Sequence, residues 1–343
     1  MGPGVTRRAS AIKAGERGRH RPSSVRVDVG PELDFGWALG FLAVRAVPSL
    51  EVMTGDGFER VVWLDAAGRG GGLPQPVTLA VQYRAAAAAP QIADGVGQSA
   101  QLVVRSAPQL PAAALRRAMA RMFDLDADLR RFAAVAGQDS VLGPVVAGNP
   151  RGLRLLQLLD PFEALMRAIL GQQVSVAAAS TMTDRLVRLA AIPAPRLRPE
   201  GIIPIRRPRY AFPEAEAIVG LGPARLRRIG LTSAKTAAVH GAAVAVANGD
   251  LNLSRLRRAP ADEADRQLLA LPGVGPWTAA YVRLRALGDR DAFPASDLGL
   301  VRALAARGVL RPDVQAAAER WRPWRGYATL HLWHSLHRFD HDE

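Results

Sequence analysis

Two groups in the stretch LPGVGPWTAAYVRLRALGDRDAFPASDLGL (271–300) could do chemistry: an isolated carboxylate, Asp297, and the backbone of a glycine turn, Leu271-Pro272-Gly273-Val274-Gly275. The two glycines let the backbone approach another molecule closely. Their N–H groups, with those opening the next helix, make a site for one phosphate. Pro276 suits the first turn of that helix, where a missing N–H costs nothing. A helical pattern, DEADRQLLAL, precedes the turn, so the spacing predicts helix, hairpin and helix over about 262–287. Such a device grips a sugar-phosphate backbone and reads no base sequence. An ordinary helix–helix turn would also explain a bare Gly-x-Gly, but the longer string LPGVGPWTA is more specific.

Asp297 opens the predicted helix DLGLVRALAARG, where its plain role is an N-cap. It also follows Trp277 by 20 residues, past a loop that turns the chain back toward the hairpin. A carboxylate beside a phosphate-gripping turn is repelled by the phosphates unless positive charge develops there during a reaction. Cleaving the bond between a base and its sugar develops that charge. The sugar passes through an oxocarbenium-like state, which a carboxylate stabilises while orienting water. From the residues alone, cap and catalyst both remain open.

The rest of the chain favours a polyanionic partner. Its 343 residues suffice for two or three domains, and its net charge is +14. Residues 1–24 read as a disordered basic tail with five arginines and one lysine against one glutamate, so the remainder is basic in its own right. There is no cysteine, which removes disulfides, thiol nucleophiles, zinc thiolates and cysteine-held iron–sulfur clusters. Nearly every basic residue is arginine; lysine occurs only at Lys13 and Lys235. No apolar run reaches membrane-spanning length and the N-terminus has no secretory centre, so a cytoplasmic protein with no membrane partner is expected.

These groups need elements to position them. SVRVDVG (24–30), SLEVMTG, FERVVWLD, VTLAVQY and AQLVVRS alternate as strands, and DFGWALGFLAVRAV (34–47) has helical spacing. The expectation is an α+β class: an antiparallel sheet domain with one helix over 25–111, then a helical region over 112–343. In that region PAAALRRAMARMFDL, DPFEALMRAILGQ, VSVAAASTMTDRLVRLA, TSAKTAAVHGAAVAVANG and PWRGYATLHLWHSLHRF join the hairpin helices, and the RPRYAFPEAE loop leads into short ones.

Several separated strings, WALGFLAVRAV, RMFDL, RAILGQQVSVAAAS, LPGVGPWTAAY, DAFPASDLGL and RWRPWRGYATLHLW, together resemble the helix-hairpin-helix DNA glycosylases, within them the DNA-3-methyladenine glycosylase II (AlkA) type. The resemblance runs from about residue 33 to 340. It implies a TATA-binding-protein-like sheet domain, then two helical subdomains with the active-site cleft between them. The implied activity is excision of N3- or N7-methylated purines flipped out of double-stranded DNA, in base excision repair, by a monomer needing no cofactor. Residue by residue, Asp297 falls on the family's catalytic aspartate. Gly273, Gly275 and Thr278 fall on phosphate-holding positions, and the carbonyls of Leu269, Leu271 and Val274 on a monovalent-cation (Na or K) site. Trp277 stands where strand-nicking relatives have a lysine. The lysine count agrees, since Lys13 is in the tail and Lys235 on another helix, so the reaction should stop at an abasic site.

By the same resemblance Trp277, Tyr281 and Trp333 line a base pocket with Phe41 at its edge. Leu298 and His334 replace tyrosines of the best-known member, which makes the pocket less aromatic. Electron-rich faces suit a cationic alkylated base, although core packing also explains each aromatic. Gln172 and Gln173 match the wedge segment that fills the gap left by a flipped nucleotide, with polar residues of a helix start as the plainer reading. His331, His334, His337 and His341 form a C-terminal stripe that reads as a packed or solvated face, not a metal site. Arg320, Arg322 and Arg325 fit phosphate contacts or local packing equally. Two other functions fit less well: a non-catalytic hairpin protein that marks damaged DNA needs neither Asp297 nor the pocket, and methyl transfer to a thiol is excluded by the missing cysteine.

Overall fold

The computed structural model describes residues 24–30, 33–65, 74–85, 100–197 and 207–339. The basic tail through residue 23, with Lys13, and His341 lie outside them. Strands β1 (Val25–Asp28), β2 (Glu51–Thr54), β3 (Gly57–Asp65), β4 (Pro74–Arg84) and β5 (Gln101–Ala107) form one antiparallel sheet ordered β1-β5-β4-β3-β2. All five sequence-predicted strands are present. Helix α1 (Phe35–Val44) carries the chain from one sheet edge to the other, and its Phe35, Ala38 and Leu42 are buried. Period-two alternation puts Phe58, Val62, Val77, Leu79, Val81, Leu102 and Val104 into a core with that helix.

Helix α2 (Ala112–Met122) belongs to the same core by packing: its Ala114, Leu115, Ala118, Met119 and Met122 are buried there. The remaining helices are α3 (Leu129–Gly137), α4 (Leu142–Gly148), α5 (Pro161–Leu170), α6 (Val176–Ala190), α7 (Ala215–Arg228), α8 (Ser233–Ala247), α9 (Leu253–Leu256), α10 (Ala261–Leu269), α11 (Pro276–Val282), α12 (Leu298–Ala305), α13 (Val314–Ala318) and α14 (Arg325–Phe339). α7 is broken at Gly222-Pro223, in keeping with the short helices expected after RPRYAFPEAE. Two further cores divide these elements. One gathers α5 to α11, and the other joins α3, α4, α12, α13 and the buried face of α14 around Trp321 and Tyr327. α5 is buried on most sides, with Asp160 accepting from the Phe162 N–H as N-cap and Pro161 in the first turn.

Cross-links fix the sheet to the helices. Trp63 donates its indole N–H to the Phe212 carbonyl at 2.7 Å, and the Ser49 N–H donates to Asp184 at 2.9 Å. Glu51 and Arg60 face each other across β2 and β3 and form an ion pair of 2.8 Å that reaches α5. No helix among the described residues is long and apolar enough to cross a membrane.

Candidate active site

The hairpin forms as its sequence requires. Gly273 has φ +75°, and a Cβ there would stand 2.7 Å from the Ala238 Cβ, so its backbone needs both the left-handed freedom and the missing side chain. Gly275 is extended (φ −100°, ψ 179°), and the space beside its Cα is open. Among the described residues neither glycine's N–H donates to a backbone carbonyl, and α11 begins without a side-chain cap. Backbone donors left over beside a helix N-terminus have the chemistry of an anion site. Gln172 braces the turn: its amide donates to the Gly273 carbonyl at 2.8 Å and to Thr278 Oγ1 at 2.9 Å.

Asp297 is both a cap and a cavity residue, so capping does not take it out of the cavity. Its Oδ1 accepts from the Leu300 N–H at 2.9 Å and from the Trp333 indole N–H at 2.8 Å; its Oδ2 accepts from the Trp277 indole N–H at 2.9 Å. Three donors from α11, α12 and α14 fix the carboxylate plane. One of its roughly four lone-pair sites remains for a further donor. Trp277 and Tyr281 stack at 5.2 Å between centroids, and Tyr281 meets Trp333 at 6.4 Å. Asp297, Trp277, Tyr281 and Trp333 border one cavity of about 400 Å³ between the helical cores and the sheet domain, a volume in the range of small-ligand sites.

The cavity is also lined by four arginines, Arg45, Arg60, Arg167 and Arg285, which sequence reasoning missed. Arg60 and Arg167 are paired: Glu51 bonds Arg60 and Arg167 at 2.8 Å each, and Glu163 bonds them at 2.6 and 3.0 Å. Burial alone lowers the affinity of both guanidiniums for their proton, but the two glutamates outweigh it and raise both pKa values. Arg45 and Arg285 lack such partners, and burial pushes Arg45 down to about 10 and lowers Arg285. Burial raises the Tyr281 hydroxyl, but Arg285, Arg45 and Arg167 together overcome it and hold it below the ordinary tyrosine range. The helical spacing Trp277, Tyr281, Arg285 was a visible signal for one of these residues. Arg45 comes from a different domain and left none.

The other predicted residues are placed as follows. Phe41 lies behind the cavity wall, with the Arg45 guanidinium 3.7 Å from its ring centroid and that of Arg285 at 4.8 Å. His334 meets Trp37 edge-on at 6.3 Å, and Leu298 is 56% exposed; neither borders the cavity. The two wedge candidates separate. Gln172 points at the hairpin, whereas Gln173 is exposed in a left-handed conformation (φ +57°) next to the exposed Val174 at the cavity's edge. Leu271 O already accepts the Val274 N–H at 3.1 Å. Arg320 pairs with Asp139, and Arg322 and Arg325 pair with Asp291 and Glu319, so all three are engaged within the fold. His331 is buried and bonded to Asn149.

Comparison with known proteins places the sequence and the fold in one family. The AlkA N-terminal domain model matches residues 24–160, and the model for the HhH-GPD superfamily base excision DNA repair protein matches 166–325. DNA-3-methyladenine glycosylase 2 of Escherichia coli K12 is 32% identical over 310 residues, covering 89% of this chain and 95% of that protein. The "Probable bifunctional transcriptional activator/DNA repair enzyme AlkA" of Mycobacterium tuberculosis is 41% identical over 222 residues, which cover 63% of this chain and 41% of that longer protein. In fold, the chain is similar to the 3-methyladenine DNA-glycosylase of Archaeoglobus fulgidus, with a TM-score of 0.70 at 22% identity over 92% of this chain and 99% of that one. With both family models matched and a 32% identical relative covered almost end to end, the chain belongs to the AlkA-type branch of the HhH-GPD superfamily of base excision DNA repair proteins.

Proposed function

We propose that the chain is a monofunctional DNA glycosylase, which hydrolyses the N-glycosidic bond of alkylated purines flipped out of duplex DNA and leaves an abasic site. The observation that carries the reading is Asp297, held by the Trp277 and Trp333 indoles at an aromatic cavity beside the hairpin. The hairpin N–H groups take a phosphate, and the exposed Gln173 enters the gap in the stack. An N3- or N7-methylated purine carries positive charge, which the faces of Trp277, Tyr281 and Trp333 attract. As the bond from C1′ to the base nitrogen breaks, its electron pair neutralises the base and leaves an oxocarbenium-like sugar. Asp297 stabilises that charge, and its remaining lone pair accepts a proton from the water whose oxygen bonds to C1′.

Lyase chemistry needs an amine that can attack C1′. Among the described residues no lysine lines the cavity, and Lys235 Nζ donates to the Leu170 carbonyl at 2.8 Å. The carbonyls of Leu269, Leu271 and Val274 are hard oxygen donors without a carboxylate, which fits a monovalent cation that would brace the hairpin against phosphate. The test is release of free base from methylated duplex DNA by the wild-type chain and by Asp297→Asn, with strand breaks scored before and after hot alkali. Release that is lost in the variant, with breaks only after alkali, supports the reading. Wild-type binding without release would return the chain to a damage-marking protein with Asp297 as a cap. Breaks before alkali would refute the monofunctional assignment.

A further inference from the structure

The segment 171–175, which joins α5 to α6, is held at both ends. At its start the Gly171 and Gln172 N–H groups donate to the Arg167 and Ile169 carbonyls at 2.9 and 3.3 Å, and Lys235 Nζ of α8 donates to the Leu170 carbonyl at 2.8 Å. At its end Ser175 caps α6, its Oγ accepting the Ala178 N–H at 3.2 Å. Between them Gln173 is exposed and left-handed, with φ +57°. That conformation is unfavourable for a residue with a side chain and persists only where its neighbours hold it.

The neighbour on one side is tied to the hairpin. The Gln172 amide nitrogen donates to the Gly273 carbonyl at 2.8 Å, inside the turn, and to Thr278 Oγ1 at 2.9 Å, in the first turn of α11. Thr278 is 2% exposed, so that anchor is buried. An amide nitrogen has two hydrogens, and with both engaged its plane is fixed as well as its position. One side chain therefore joins the segment that carries Gln173 to the turn that carries Gly273 and Gly275, across 101 positions of sequence. A hairpin on a phosphate and a side chain in the base stack engage one duplex at two points, and the DNA sets their separation. Each contact carries its own ordering cost unless the two are already held at that separation.

We propose that Gln172 is a positioning residue that couples the hairpin's hold on phosphate to the entry of Gln173 into the stack, so that each contact strengthens the other. The inference rests on the glycosylase reading above and, within it, on the wedge role of Gln173. Helix α8 touches both parts too, through Lys235 on the Leu170 carbonyl and Ala238 beside Gly273, and offers a rival route for the coupling.

The experiment is a triple-mutant cycle on single-turnover release of base from methylated duplex DNA, with enzyme in excess of DNA but below saturation so that binding and chemistry are both read. Gly275→Ala obstructs the phosphate, and Gln173→Ala removes the wedge. With Gln172 present each should slow release. Together they should slow it by about three- to tenfold less than the product of the two factors, which is the worth of one ordinary hydrogen bond. In a Gln172→Ala background the two factors should multiply. Gln172→Glu keeps the side-chain length and sets a carboxylate against the Gly273 carbonyl, so it should act in the same way, with melting temperatures confirming that the variants fold. Factors that already multiply in the wild-type background overturn the inference, whether or not a Gln172 variant folds. An overlap that survives both Gln172 substitutions also overturns it and assigns the coupling to α8. A Gly275→Ala or Gln173→Ala variant that releases base at the wild-type rate overturns the inference and leaves the glycosylase reading standing. No release by the wild-type chain overturns that reading, and this inference with it.

Discussion

Trp333→Phe isolates the positioning of the carboxylate from the shape of the cavity. The substitution keeps an aromatic ring and removes the indole N–H that donates to Asp297 Oδ1 at 2.8 Å. A hydrogen bond to a charged group contributes about 1.5–3 kcal/mol, a range whose upper half applies when the charge is left unpaired. Here Oδ1 keeps the Leu300 N–H at 2.9 Å and Oδ2 keeps the Trp277 indole at 2.9 Å. The cost should therefore be about 1.5–2 kcal/mol, or roughly 10–30-fold in the single-turnover rate of base release. Affinity for duplex DNA holding an abasic site should change little, because no base occupies the cavity there. The control is the same substitution in an Asp297→Asn background. If Trp333 acts through the carboxylate, it causes no further loss once the carboxylate is gone, so the two effects are strongly non-additive. Equal losses in both backgrounds would refute the reasoning and leave Trp333 as a surface on which the base stacks.

Three further predictions follow from the geometry. Gly273→Ala meets both a positive φ and the Ala238 Cβ, so it should cost about 1–3 kcal/mol of stability. Gly275→Ala meets open space and should keep the melting temperature while its methyl obstructs phosphate, so a DNA titration separates the two variants. Gln173→Gly removes a left-handed non-glycine residue, which should raise stability by about 1 kcal/mol or less and slow base release if Gln173 fills the stack. Burial and the nearby His334 push His331 down to about 3, so from about pH 6.5 downward the unfolded chain binds a proton that the folded one does not, and stability falls with pH. Burial and Glu163 raise Asp160 to about 7, so between about pH 4 and 7 the folded chain holds the extra proton and stability falls as pH rises. Denaturant midpoints across pH should show these slopes opposing each other. Asp160→Asn, which keeps an N-cap, should raise the midpoint at pH 8 more than at pH 5.

Much of the scaffold was legible because its signals are local. The strands alternate with period two, and the hairpin helices show their apolar spacing and helix-entry proline within a few residues. Helices α3 and α4 were harder to read, since Gly137, Gly143 and Pro144 cut them into pieces of nine and seven residues whose stability comes from packing around Trp321 and Tyr327. α2 likewise looks like the first helix of the helical region, yet its apolar face is buried on the sheet.

The site divides in the same way. The sequence by itself determined that the chain is basic, that it has a glycine hairpin able to hold a phosphate, that Asp297 caps a helix, and that Trp277 and Tyr281 share a helix face. Those facts depend on residue types and on spacings of a few positions. Only the tertiary structure decided that Trp277 and Trp333 share one carboxylate and that Gln172 braces the hairpin while Gln173 faces out. It also decided that Arg45 of the sheet domain lines the same cavity as Tyr281 and Arg285, with both guanidiniums over the Phe41 ring. These contacts join residues tens to hundreds of positions apart. They exist because three separate cores pack together, and no local pattern encodes which side chains that packing brings within hydrogen-bond distance.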